Sequence, residues 1–435
     1  MDPVFDAQYL NMKHSFSREN TEIDVAYTPA GEVDYIYVAN RLLAVDRDDN
    51  LQRLRAALPG LGPAERLGTG DLVLLPTEGV DDGHLTVPEV LDLLDERLGA
   101  GNPALTGGAP LATPDHVLHT ARLCTPWEPM WVPAGAVPHP APAPQPLAAP
   151  HAAVAGQEHN QVLIGISDTG LWEAPDLARH PWMTDVQGDP DGQRPVPPDG
   201  LRTISHHAAH GTFVAGVAKS AAPGAAVYVG NHFPKNGGEL EHVVASHLEG
   251  LIRAQSPQLI NFSAGAYTRR DWPLLSFSEF HRMHDDIPLV AAAGNDGITR
   301  PHWPAAFDWA VSVGALAADE RSLAWFSNHG DWVKMYVVGE GLVNAFATGV
   351  YTYQEPPKRP AKQAFDGMAR WDGTSFSVAL ATGLIAAEMA RSGDTARIAS
   401  DRVIASADQH KIRGAGPSLR FLSLGRWFTP GPGGV

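Results

Sequence analysis

Short apolar runs and stretches of helical spacing alternate along most of the chain, in two different styles. In the first hundred residues, Tyr35–Val45 (YIYVANRLLAV) and Asp71–Leu75 read as strands, while Leu51, Leu54 and Leu58 recur at helical spacing within 49–58. Thr86-Val87-Pro88-Glu89 is a capping box with proline in the first turn, and it opens a helix running to Leu98. A third strand is expected near Val117–Leu123. The pattern predicts a small β-α-β-α-β module over residues 1–125.

Further on the apolar runs stop alternating. Val162–Ser167, Val227–Val229, Leu259–Phe262 and Leu289–Ala293 are continuous, as strands are when both sheet faces are covered. Helices are expected between them, from His210, over 239–254 and near Ser276–His284. This predicts an α/β domain over residues 158–435, three-layer α/β/α with a mostly parallel central sheet. Active sites in such folds lie where strands end and helices begin. Between the two regions, nine prolines fall in the 25 residues from Pro126 to Pro150. Fixed φ and missing N–H donors make 126–157 an extended spacer and a domain boundary.

Composition narrows the function. With 435 residues, 44% hydrophobic and 19% charged, the chain has the balance of a multidomain globular protein. The formal charge is −17, which argues against a nucleic-acid partner, since phosphate binding needs a basic footprint. Residues 1–100 hold 8 Lys/Arg and 19 Asp/Glu, so this stretch alone supplies −11. The single cysteine, Cys124, rules out an intramolecular disulfide and multi-cysteine zinc sites, and is read as an inert thiol. No apolar run approaches the roughly 18 residues of a membrane span. Residues 1–30 carry scattered charge and no apolar block, so the expected address is cytoplasmic.

Four polar segments stand at strand-to-helix junctions: Ile166-Ser-Asp-Thr-Gly170, His210-Gly-Thr-Phe-Val-Ala-Gly216, Ala291-Ala-Ala-Gly-Asn-Asp296 and Gly373-Thr-Ser-Phe-Ser377. A serine hydroxyl is a weak nucleophile unless a base removes its proton, and that base needs an acid to hold its tautomer. Asp168, His210 and Ser375 supply one of each. An aspartic-protease reading of Asp168-Thr-Gly fails, because it needs two facing carboxylates and no second Asp-Thr-Gly occurs. His206 and His207 precede no Gly-Thr helix start and are read as surface or pocket residues. His281 and His284 share a helix face without a third ligand and are read as solvated. Trp303, Trp309, Trp325 and Trp332 are read as core or pocket wall.

In these motifs the chain resembles the subtilisin-like serine proteases. Asp-Thr-Gly, His-Gly-Thr, Asn-Phe-Ser-Ala-Gly, Ala-Ala-Gly-Asn and Gly-Thr-Ser follow one another in that family's order from Gln161 to Ala407. The order Asp, His, Ser is the known order of subtilisin, so it is a match and not a deduction. The resemblance implies a serine endopeptidase acting on protein or peptide substrates, in which Ser375 attacks, His210 moves the proton and Asp168 orients the ring. Asn295 would donate to the oxyanion beside the N–H of Ser375. Ser263, Ala264 and Gly265 would form the edge strand that pairs with extended substrate. Ala293 and Gly294 would line the primary specificity pocket, leaving room for a large side chain.

One departure stands out: Ala379 occupies a position where the family usually has proline. No metal ligand and no redox or organic cofactor is assigned. Structural calcium is conceivable, with Asp185, Asp189 and Asp191 as loop carboxylates that fit turns equally well. By the same resemblance the N-terminal module is expected to dock on the catalytic domain as an inhibitory or chaperone segment, with an unrelated partner-binding domain as the other reading. A peptidase dedicated to one peptide precursor and a peptide-binding pseudoprotease remain open.

Overall fold

Parallel pairing organises the larger part of the chain. A computed structural model describes residues 3–103, 108–120, 139–140, 161–172, 177–191, 203–352 and 362–420. Cys124 and nearly all of the proline-rich stretch lie outside the described residues.

The N-terminal part contains helix α1 (Pro3–Ser17), strands β1 (Ile23–Tyr27) and β2 (Val33–Val45), helix α2 (Asn50–Ala57), strands β3 (Glu65–Arg66) and β4 (Leu72–Pro76), helix α3 (Val87–Leu98) and strand β5 (Ala112–His119). Both halves of the Thr86–Glu89 capping box are present: Glu89 accepts from the Thr86 backbone at 2.8 Å. Strands β1, β2, β3, β4 and β5 pair antiparallel throughout. Val90, Leu91 and Leu94 of α3 and Leu54 of α2 pack on one face with Leu42, Val73 and Leu75. Helix α1 and strand β1 have no counterpart in the sequence reading. Phe5, Met12 and Phe16 of α1 are buried with Val25, Val38 and Val117 on the other face. The expected strand at 117–123 is displaced toward the N-terminus, to Ala112–His119.

After the two-residue strand β6 (His139–Pro140) come β7 (Leu163–Asp168), β8 (Val186–Gly188), β9 (Thr203–Ile204), α4 (His210–Ala221), β10 (Ala226–Asn231), β11 (Gly238–Leu240), α5 (Glu241–Gln255), β12 (Leu259–Phe262), α6 (Leu275–Met283), β13 (Leu289–Ala292), β14 (Val311–Leu316), β15 (Met335–Val338), β16 (Leu342–Thr352), β17 (Lys362–Trp371), α7 (Thr374–Ser392) and α8 (Ala396–Asp408). Seven strands form one parallel sheet in the order β15-β14-β13-β12-β7-β10-β8. The expected three-layer architecture is present: helices α4 and α7 pack with Ile164, Val290 and Val313, and α5 and α6 with Ile260, Leu289 and Ala291. Strand β7 lies between β12 and β10, so the chain order reverses there and Asp168 ends a strand at the switch point. Among the described residues no helix is long and apolar enough to cross a membrane.

Glu239 and Leu240 do not begin the helix that follows, as their sequence suggested. They belong to β11, which pairs antiparallel with β5 of the N-terminal sheet, Glu239 opposite Leu118. Ion pairs accompany this shared edge. Arg269 meets Asp92 at 2.5 Å and Asp95 at 2.6 Å, Arg300 meets Asp34 at 2.6 Å, and Arg47 meets Glu279 at 2.7 Å. Buried Glu241 accepts from His116 at 2.9 Å, and buried Asp115 contacts His242 at 2.9 Å. Most of these carboxylates come from the acidic N-terminal residues and most of the cations from the parallel-sheet part.

Candidate active site

Three strand-to-helix junctions meet at the carboxyl end of the parallel sheet. Asp168 is fully buried at the end of β7, and its Oδ1 accepts the backbone N–H of Thr169 at 2.8 Å. His210 is the first residue of α4, and its Nδ1 lies 2.7 Å from the same Oδ1. A carboxylate accepts there, so Nδ1 is the donor and Nε2 is the ring nitrogen not engaged with Asp168.

Backbone details fix this contact. Ala209, just before the helix, is left-handed at φ 63, a strained conformation for a residue with a Cβ. The Asp191 carboxylate holds it by accepting its N–H at 2.6 Å. The residue after His210 must be glycine: a Cβ on Gly211 would lie 2.5 Å from the carbonyl oxygen of Gly170 and 3.2 Å from Cβ of Asp168. The imidazole is walled by Trp371, edge-on at 5.4 Å, and by Phe376 at 5.6 Å. Behind the carboxylate, Ser167 Oγ contacts His232 Nδ1 at 2.8 Å. Burial, with His247 nearby, pushes the His232 pKa down to about 3, so this second ring stays neutral.

Ser375 is the second residue of α7, at the positive end of a 19-residue helix. It lines one cavity together with His210, Asn295, Thr120, Trp325 and Trp371. Its hydroxyl donates to the carbonyl of Ser263 at 3.4 Å, and Ser263 Oγ donates back to the carbonyl of Ser375 at 3.2 Å. Asn295 follows β13 on the same rim. Thr374 donates to its Oδ1 from both N–H and hydroxyl, at 2.8 Å each.

Of the other residues singled out in the sequence, Ser263, Ala264 and Gly265 extend β12, and Gly265 exchanges two backbone hydrogen bonds with His119, at 3.0 and 3.1 Å. The next residue, Thr120, donates its N–H to Gly237 at 2.9 Å. The N-terminal sheet thus feeds an extended strand between Gly265 and Gly237 and into the cavity of Ser375. Beside Ala293 and Gly294 the Asn328 amide donates to the Ala293 carbonyl at 2.9 Å, and a Cβ on Gly294 would lie 2.4 Å from that amide nitrogen and 3.2 Å from Cγ of His302, a residue the sequence had not singled out. His206 contacts Gln8 and Tyr351, and His207 is buried beside Thr120 and Gly237. His281 is not simply solvated: it stacks on Trp309 at 4.2 Å. Asp189 binds Tyr228 and the Asn231 backbone. Among the described residues no cluster of three or more His, Cys, Asp or Glu is arranged to hold a metal.

A parallel sheet with Asp168, His210 and Ser375 gathered along one rim defines the class: the subtilisin-like fold. The model of the subtilase family matches residues 159–414, and the chain belongs to that family. It is 32% identical to the minor extracellular protease Epr of Bacillus subtilis over 170 residues, which are 35% of this chain and 25% of Epr. With the subtilisin-like protease PopC of Myxococcus xanthus it shares 28% identity over 294 residues, 57% of this chain and 55% of PopC. The chain therefore spans between a quarter and about half of these relatives. Fervidolysin of Fervidobacterium pennivorans, a keratinolytic enzyme related to subtilisin, has the same fold at 16% identity with a TM-score of 0.55. That likeness covers 94% of this chain and 64% of fervidolysin, so it includes the N-terminal sheet.

Proposed function

We propose that the chain is a serine endopeptidase acting on protein or peptide substrates, with the N-terminal module as its internal inhibitor. One observation carries the catalytic part: Nδ1 of His210 is committed to Asp168 at 2.7 Å, while the ring shares a single cavity with Ser375 and Asn295. Ser375 Oγ would add to the scissile carbonyl as Nε2 of His210 takes its proton. The tetrahedral oxyanion would be met by Nδ2 of Asn295 and the N–H of Ser375. His210 would return the proton to the leaving amine, and water activated in the same way would release the acyl group. Written this way, the reaction needs no redox or organic cofactor.

The inhibitory role is supported by the position of His119 and Thr120. They lie along Gly265 and Gly237 as an extended substrate would, by β-strand addition. Cleavage beyond Thr120, within residues 121–157, would free the groove. A cytoplasmic address is part of the proposal; Epr, extracellular by name, argues the other way, and cell fractionation decides.

Labelling by a compact fluorophosphonate tests the chemistry. Ser375→Ala should abolish both labelling and peptide hydrolysis in a protein that still unfolds cooperatively. A second reading, a peptide-binding pseudoprotease, is favoured by the Ser375 hydroxyl donating to Ser263 and not to His210. Peptide binding without labelling would establish it. Narrow activity toward one precursor sequence, in a library of diverse peptides, would mark a dedicated maturation enzyme.

A further inference from the structure

The pocket expected for the substrate side chain just before the scissile bond lies between two walls, Ala264–Gly265 and Ala293–Gly294. Both walls face the same imidazole. A Cβ built on Gly265 would lie 2.3 Å from Cε1 and 2.7 Å from Nδ1 of His302, and one built on Gly294 would lie 3.2 Å from its Cγ. At Gly265 the ring already holds the space a methyl would need; at Gly294, left-handed at φ +100, the amide of Asn328 comes first, 2.4 Å from a built Cβ, with the ring packed beside it.

The ring is also fixed in place. Ala266 and Trp303 exchange two backbone hydrogen bonds, at 2.9 and 3.0 Å, which tie the His302 segment to the back of the substrate edge. Nδ1 donates to the carbonyl of Ala292 at 3.2 Å. Tyr267 packs against the ring at 5.3 Å, and its own hydroxyl is bound to Asp296 at 2.5 Å and Asn328 at 2.9 Å. His302 is 5% exposed, and burial, with His119 and Arg300 adding to it, brings its pKa down to about 3. A neutral, bonded and packed ring has no charge drawing it out to water.

We propose that His302 is a specificity-determining residue: its imidazole floors this pocket and restricts the substrate position immediately before the scissile bond to Gly, Ala or Ser. The inference rests on the proteolytic reading above. A benzyl or isobutyl group adds carbons that the packed ring leaves no volume for, and overfilled sites resist added methylenes. Single-methylene discrimination by a pocket is about 10- to 200-fold, so exclusion of a whole ring sits at the upper end or beyond.

The test uses the full chain, cut within 121–157 so that the groove is free, and three probes: a compact fluorophosphonate, and two otherwise identical peptidyl diphenyl phosphonates carrying the alanine or the phenylalanine side chain. The alanine analogue should modify Ser375 at least about 100-fold faster than the phenylalanine analogue. His302→Gly should narrow or reverse that ratio by at least about tenfold, as opening a filled pocket does. An alanine analogue no faster than the phenylalanine one overturns the inference, and this comparison needs only the native chain, so it decides even where the variant does not fold. A ratio unchanged in folded His302→Gly and His302→Ala overturns it as well. Absence of fluorophosphonate labelling is the separate result that defeats the proteolytic reading, and the inference falls with it.

Discussion

The side-chain oxygen of Asn295 accepts two hydrogen bonds from Thr374, one from the backbone N–H and one from the hydroxyl, both at 2.8 Å. An N–H donor demands an acceptor, so the amide cannot be flipped, and Nδ2 is the group left to donate. It has no hydrogen bond among the described residues. The residue next to the nucleophile therefore aims the oxyanion donor. Asn295→Ala should lower kcat by about 10²–10³ with little change in KM, a loss known for the equivalent asparagine of subtilisin itself. Thr374→Val removes one of the two anchors and should lower kcat by about 3- to 10-fold, the worth of one ordinary hydrogen bond. Steady-state kinetics on a cleavable peptide separates the two, and a Thr374→Val enzyme with unchanged kcat would break the link.

Gly211 predicts a different kind of loss. A methyl there would lie 2.5 Å from the Gly170 carbonyl, a backbone atom that cannot rotate away. The start of α4 would shift, moving His210 relative to Asp168 without altering either side chain. Displacements of about 1 Å cost on the order of 10² in rate when geometry is the source of catalysis. Gly211→Ala should therefore fold, bind substrate nearly normally and lose about two orders of magnitude in kcat. A variant with native kcat would show that the approach of α4 to the Asp168 loop is not what holds the ring.

How much of this was legible in the sequence depends on how local each signal is. Asp168 and Asn295 each sit where an apolar run gives way to Gly, Ser or Thr, and His210 and Ser375 each stand beside a Gly-Thr pair ahead of an apolar helical stretch; those signals are visible within five or six residues. The continuous strands β7, β12 and β13 were equally plain, because burial on both faces leaves no polar alternation. Strand direction has no local signature, so the antiparallel N-terminal sheet could not be told from a β-α-β unit. Helix α1 was missed although Phe5, Tyr9, Met12 and Phe16 fall at helical spacing, since polar residues crowd between them. The least legible residue is His302. Its place follows from the pairing of Ala266 with Trp303, partners 37 positions apart, and nothing around it in the chain announces that.

Arg269 ties the two sheets through charge. Its side chain is 5% exposed and reaches both Asp92 and Asp95, and Arg270 also reaches Asp95, at 2.9 Å. Breaking a buried ion pair by removing one partner usually costs 3–5 kcal/mol, and the remaining Arg270 should reduce that to roughly 2–3 kcal/mol for Arg269→Ala. In the Ser375→Ala background, which prevents self-cleavage, the variant should show an earlier denaturation midpoint. Once the chain is nicked in 141–157, it should also release the N-terminal fragment at lower salt. Equal salt thresholds in the two proteins would remove Arg269 from the tie.

The same junction should respond to pH with a definite sign. Burial pushes the His242 pKa down, but Asp115 at 2.9 Å more than offsets it, and the value ends above that of a free imidazole. Burial likewise pushes Asp115 up, and His242 with Arg41 outweighs it, holding the carboxyl below its usual range. A raised imidazole stabilises fully below its free value of about 6.5 and loses that contribution as pH rises through the raised value. A depressed carboxyl stabilises above its free value of about 3.9 and loses it as pH falls through the depressed value. The pair is thus strongest between roughly pH 4 and 6.5 and weakens on the alkaline side, where His242 becomes neutral beside a carboxylate still held by Arg41. Thermal unfolding of the Ser375→Ala chain should accordingly lose midpoint temperature between pH 5.5 and 8.5. His242→Gln, which keeps a donor but cannot titrate, should start lower at pH 5.5 and decline less. Parallel pH slopes for the two proteins would mean that the His242–Asp115 contact carries no net charge interaction, and that the sheets are held by the arginine pairs and apolar packing alone.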